Sequence, residues 1–208
     1  VSPATLVGER RHVRVSAPAG LNRKHVRAVV ATLRDRDQAR VASVVELARD
    51  LGLRFREASL LDTGTALSQA RALGKVNITA GTKGGRGREV DRWVVVSASA
   101  LQTLERAESL QNDSRNLIPP EMNYRQWRDQ AYAVWRPTST QYGLKGFHDL
   151  RAAYACERYA QLTGSPAPAV SGGRQTSKAA DRSARQVLSR ELGHGRIDVV
   201  AAYVGSPC

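Results

Sequence analysis

Arginine, histidine, lysine and tyrosine recur in this sequence at spacings that suit work on a phosphate. His148 and Arg151 stand three apart where a helical stretch begins, so they share a face and can converge on one anion. Arg54 follows Gly52 and Leu53 in the first turn of a short apolar run, where a cation opposes the helix dipole and needs another reason to be there. Lys83 sits at the tip of a Gly-rich turn. Near the end, Leu192, Gly193 and His194 interrupt an amphipathic pattern, and a second apolar turn presents Tyr203 as a candidate nucleophile.

The bulk composition favours an anionic partner. The chain has 208 residues, 41% hydrophobic and 25% charged, with a net charge of +13. The pI is near 10.6, so nucleic acid is the default partner and an anionic membrane the runner-up. Lysine is confined to positions 24, 75, 83, 145 and 178, so the charge is mostly arginine, whose planar fork grips phosphate. No apolar run approaches the roughly 20 residues of a membrane span, and no secretory signal opens the chain. Cys156 and Cys208 form no disulfide framework, and Asp149, Glu157 and Asp198 form no metal cluster. A reducing cytoplasm and chemistry without metal fit these counts. The turn at Lys83 lacks the spacing and the following helix of a phosphate-binding P-loop.

The periodicity places these residues on elements. It predicts helices over 22–36, 37–51, 53–61, 66–74, 97–111 and 123–136, one running from His148 through Leu162, and a last one from 178. Strands over 75–80 and 89–96 flank the Gly-rich turn as a β-hairpin. The fold class is α+β, mainly helical with a small antiparallel sheet. Residues 1–22 read as a linker or basic arm carrying Arg10, Arg11 and Arg14, residues 23–208 as one domain, and 164–177 as an inserted Gly/Pro/Ser-rich loop. Tyr124, Trp127, Tyr132 and Trp135 belong to packing, as do Tyr142, Tyr154 and Tyr159.

The segments Gly-Leu-Arg-x-x-Glu, Thr-Lys-Gly-Gly-Arg-Gly-Arg, His-Asp-Leu-Arg and Leu-Gly-His-Gly-Arg followed by Tyr, in that order, resemble the catalytic domain of the tyrosine recombinases. This lambda-integrase-like family consists of site-specific DNA strand-exchange enzymes. The resemblance runs from about Asn22 to Gly205 and implies the family fold, a duplex DNA substrate, no cofactor and a homotetramer on two recombining sites. It makes Tyr203 the nucleophile of a 3′-phosphotyrosine intermediate. Arg54 and Arg151 would clamp the non-bridging oxygens, Lys83 would be the general acid and His194 a hydrogen-bond donor, while His148 would assist proton removal. Arg86, Arg88, Arg174, Arg182, Arg185 and Arg196 are candidate DNA-backbone contacts.

Two other readings share these residues: relaxation of supercoils by type IB topoisomerase chemistry, and a non-catalytic DNA-binding module. The only methionine is Met122, so the chain reads as a piece of a longer protein whose separate DNA-binding domain precedes it, and such a piece would be monomeric. Five residues follow Tyr203. The tyrosine is therefore expected to be mobile until DNA orders it.

Overall fold

Asn22 opens α1 (Arg23–Asp35), because its side-chain oxygen takes the N–H groups of Lys24 and His25 that the helix leaves unpaired. Val26, Val29, Val30 and Leu33 fall on one buried face, as their spacing predicts. That face packs on α2 (Ala39–Asp50), which is buried on nearly every side through Val41, Ala42, Val44, Val45, Leu47 and Ala48. The structure is a computed structural model that describes residues 13–111 and 113–207, the side chains of Arg86 and Arg88 excepted.

After α2 the chain reverses at Gly52, whose φ of +62° is left-handed. A Cβ there would lie 2.4 Å from the Tyr154 ring, so only glycine permits the turn. It leads into α3 (Phe55–Leu60) and then α4 (Thr63–Leu73), capped by the Asp62 side chain. Next, β1 (Lys75–Asn77) pairs antiparallel with β2 (Trp93–Val95), with Lys75 opposite Val95, Val76 opposite Val94 and Asn77 opposite Trp93. Both strands are shorter than their sequence pattern suggests. The Asn77 side chain accepts the Arg92 N–H at 2.9 Å, which ends the regular ladder; beyond it, residues 83–88 form short turns kinked at Gly84 and Gly85, whose φ angles of +70° and +73° are left-handed.

The second half is helical. Ser97 caps α5 (Ala98–Glu108), and Asn123 caps α6 (Tyr124–Gln141). Helix α6 continues past Pro137, one turn beyond the expected stop. Thr138, Ser139 and Thr140 donate their hydroxyls to the carbonyls of Val134 and Arg136, and burial of Trp135, Thr138 and Ser139 holds the turn in place. Then come α7 (Phe147–Thr163), a four-residue turn α8 (Pro168–Ser171) inside the expected loop, α9 (Lys178–Glu191) and the single turn α10 (Ala201–Val204). Helix α7 packs on α2, α9 and α10. The described residues thus form a mainly helical fold with one two-stranded antiparallel sheet. Among them no helix is long and apolar enough to cross a membrane.

An aromatic cluster ties the helices that carry the candidate residues. Phe55, next to Arg54, lies 5.0 Å from Phe147, next to His148, and the Phe147 ring also meets Tyr132 at 5.5 Å and Trp135 at 4.8 Å. Packing there fixes the start of α3 against the start of α7. Phe147→Ala should therefore lower stability by about 3–5 kcal/mol, measured by urea unfolding, with no change in the unfolding slope.

Candidate active site

Arg54 occupies the N-cap of α3 in an extended conformation (φ −71°, ψ 157°), not its first turn. The conflict with the helix dipole is offset by Glu57, the acidic residue of the first turn. The Glu57 carboxylate accepts the Arg54 N–H at 2.7 Å and also meets the Arg54 guanidinium. It is fully buried. Arg92 approaches the same carboxylate at 2.7 Å and Arg151 at 3.5 Å. Burial alone would push the Glu57 carboxyl up, but the guanidiniums of Arg92, Arg151 and Arg54 and the backbone N–H hold it down at about 2.

Arg151, 1% exposed, projects from α7 into the space between three elements. Its guanidinium donates to the carbonyl of Gly52, to the carbonyl of Leu192 and, through Nε, to the Tyr203 hydroxyl at 3.4 Å. Burial and the nearby Arg92 push its pKa down to about 10, which leaves it cationic at neutral pH. Arg92 in turn donates Nε to the carbonyl of Glu191 at 2.7 Å. The end of α9 is thus fastened to the arginine cluster at two adjacent carbonyls.

That fastening presents His194, whose Nε2 lies 2.9 Å from the Tyr203 hydroxyl. Burial, then Arg151, Arg54 and Arg92, push the His194 pKa down to about 4, so its imidazole is neutral at pH 7. His148 flanks the other side of the phenol, ring centroids 5.0 Å apart. It keeps an exposed edge. The protein against its inner face, then Arg151, Arg14 and Arg54, push its pKa down as well. Tyr203 itself is 3% exposed, with the Arg151 guanidinium 5.4 Å from its ring centre. The expectation of a mobile tyrosine is corrected by this packing: the ring is enclosed by α7 and held at its hydroxyl by two side chains.

Two clefts meet at Arg54. One is lined by Arg54, Lys83, Arg92, Arg190, Gly193 and Gly195, so the exposed hairpin lysine opens onto the same space as the arginine cluster. The other is lined by Arg54, Arg56, Tyr132, His148 and Arg151 among others. The structure therefore brings Arg54, Lys83, His148, Arg151, His194 and Tyr203 to one place. It separates the further basic residues. Arg182 is exposed on α9; Arg196 is exposed and pairs with Asp198 at 3.4 Å. Arg174 donates to the carbonyls of Pro207 and Thr176, and Arg185 is buried. The side chains of Arg86 and Arg88, like Arg10 and Arg11, lie outside the described residues. Arg14 turns inward and pairs with Asp149 at 3.1 Å.

The sequence suggests no role for Glu57, although the motif Gly-Leu-Arg-x-x-Glu contains it, nor for Arg92 and Arg190. Glu57 carries a capping signal, an acid three residues after the N-cap. Arg92 stands two residues before the buried Val94, and the alternation of a strand puts both on the inner face. No local signal marks Arg190.

Residues 8–157 match a protein family described as integrase, which is more than half of the chain. The chain belongs to the integrase family. The match includes Arg54, Lys83, His148 and Arg151 and stops before His194 and Tyr203. The fold of this integrase-family chain is similar to the crystal structure of XerA recombinase, with a TM-score of 0.55 and 14% identity over 98% of this chain. It spans 64% of the length of that relative. No curated protein matches it.

The depressed Glu57 carboxyl contributes stability that is fully present above about pH 4.5 and lost as the pH falls through about 2. Glu57→Gln should cost about 3 kcal/mol at pH 7 and flatten the loss between those pH values. Denaturant unfolding at a series of pH values measures both effects.

Proposed function

We propose that this chain is the catalytic domain of a site-specific DNA recombinase that cuts and rejoins strands through a 3′-phosphotyrosine. The observation that carries the reading is the hydroxyl of Tyr203, held at 2.9 Å by His194 and at 3.4 Å by Arg151 beside a cleft lined by Arg54 and Lys83. In this reading the Tyr203 oxygen attacks phosphorus, the bond from phosphorus to the 5′ oxygen breaks, and the phosphate stays on tyrosine. His194, neutral and hydrogen-bonded to the phenol, receives its proton in this reading, in place of His148, to which the sequence assigns that step. Lys83 supplies a proton to the departing 5′ oxygen. Arg54 and Arg151 stabilise the charge that grows on the non-bridging oxygens, with His148 facing the phosphate from its exposed edge. A 5′ hydroxyl from another strand then attacks the phosphotyrosine and releases Tyr203. The linkage conserves the energy of the broken bond, so religation needs no ATP.

Binding draws on the net charge of +13. A basic and aromatic face adjoins the second cleft: Arg56 lies 5.4 Å from the Tyr124 ring centre and Arg136 lies 5.7 Å from that of Tyr132. These residues extend the cationic trough beyond the scissile phosphate. Strand exchange joins two duplexes, which calls for four such domains at the junction, each assisted by a DNA-binding domain outside this chain.

A nicked duplex, enriched by the protein from a random-sequence pool, tests the reading, because loss of the short cleaved fragment traps the covalent adduct. Wild type should form an adduct at Tyr203, located by mass spectrometry, and Tyr203→Phe should form none; equal behaviour of the two sinks the assignment. The pH dependence gives a second test. A base with a pKa near 4 keeps its acceptor form well below the usual histidine range, so kcat/KM for adduct formation should stay level from pH 8 to about 5. A fall centred near 6.5 would exclude His194 as the proton acceptor.

A further inference from the structure

The nucleophile sits on a single helical turn, too short to hold itself. Four contacts fix the carbonyls of its arm. The Arg14 N–H donates to Ala201 at 2.9 Å, the Cys156 thiol to Tyr203 at 3.4 Å, Arg185 to Gly205 at 3.0 Å and Arg174 to Pro207 at 3.0 Å. Of the two arginines, only Arg185 is buried, at 3% exposure, and it is itself built into a network. Its Nε donates to both oxygens of Asp181, at 3.0 and 2.9 Å. The Tyr159 hydroxyl donates to the same carboxylate at 2.7 Å. Asp181 and Tyr159 are buried too.

Two features point beyond simple packing. Arg185 Nη2 is buried with no hydrogen-bond partner among the described residues, a cost that an apolar side chain of similar volume would avoid. Arg185 also lies on α9, the helix that ends just before His194. One rigid element therefore sets both the hydrogen-bond partner of the Tyr203 hydroxyl and the backbone two residues beyond Tyr203. From the opposite side Gly205, at φ +91°, presses on α8: a Cβ there would lie 2.6 Å from the Ala169 nitrogen. The segment 164–177, read from sequence as an inserted loop, forms this wall.

From this geometry we infer that Arg185, oriented by Asp181 and Tyr159, is a positioning residue that holds the Tyr203 arm in line with the scissile phosphate. The inference rests on the recombinase reading above. Its role is separate from the cations that touch phosphate: it acts on the backbone of the nucleophile and on nothing in the substrate. Displacing an attacking atom by about 1 Å lowers rate by up to about 100-fold while binding is untouched.

Single-turnover adduct formation on the nicked duplex, at saturating DNA, tests this. Arg185→Gln should cleave ~10–100-fold more slowly with unchanged DNA affinity, and Arg185→Lys should recover part of the rate. The deficit should persist on a substrate with sulfur in place of the 5′ bridging oxygen, whose thiolate leaves without a proton, whereas that substrate should restore Lys83→Ala. Gly205→Ala, which shifts the arm from the α8 side and leaves the ion pair intact, should show the same deficit; it decides the matter if Arg185→Gln does not fold by circular dichroism. A folded Arg185→Gln or Gly205→Ala that cleaves at the wild-type rate, or loses only affinity, overturns the positioning role alone. A wild type that forms no adduct removes the recombinase reading and this role with it.

Discussion

One buried carboxylate holds the candidate site together. Arg54, Arg92 and Arg151 come from three separate parts of the chain, and in a protein of net charge +13 they would repel each other if brought together unpaired. Glu57 meets all three. The cluster costs desolvation but keeps every cation oriented before any ligand arrives, which is the condition for stabilising charge as it develops. The same field acts outward. Burial first, and then Arg151 and Arg54, lower the pKa of both histidines, so the arrangement that makes the site an anion trap also disfavours their protonation.

The scaffold transmits this arrangement through neighbours of the functional residues. Phe55 and Phe147 pack beside Arg54 and His148, and the Gly52 turn gives up its carbonyl to Arg151 while the Tyr154 ring fills the space a Cβ would need. Tyr154 then reaches Glu191 at the end of α9 with a 2.9 Å hydrogen bond. Helix α7 thus touches Phe55 beside the first arginine, the α9 terminus and the tyrosine arm, and supplies two of the six candidate residues itself.

Most elements were legible in the sequence because each had a local signal. Val26, Val29, Val30 and Leu33 mark a helix face, and Asn22, Ser97 and Asn123 mark starts that the structure caps with those same side chains. Helix α6 runs past its expected end and through Pro137 because tertiary burial of Trp135 and Ser139 outweighs the missing N–H. The strands came out short because Asn77 diverted a ladder N–H to its side chain. For the site, the motif order sufficed to gather six residues. The sequence suggests no role for Glu57 and Arg92 and points Arg185 at DNA although it is buried, because their significance lies in partners 3, 35 and 20 positions away, and only the first of those separations leaves a trace in local pattern. The segment 164–177 reads as an inserted loop for the same reason: its contact with Gly205 is long-range.

The order of the chain also has a temporal meaning. Arg54, Lys83, His148 and Arg151 emerge from the ribosome before Tyr203, yet a domain folds as a unit. Arg151 finds its Leu192 carbonyl and Arg92 its Glu191 carbonyl only when the end of α9 has been made, and the Tyr203 turn closes when Arg14, near the beginning, clasps Ala201. The cation cluster and the phenol are therefore completed together, by the last segment described.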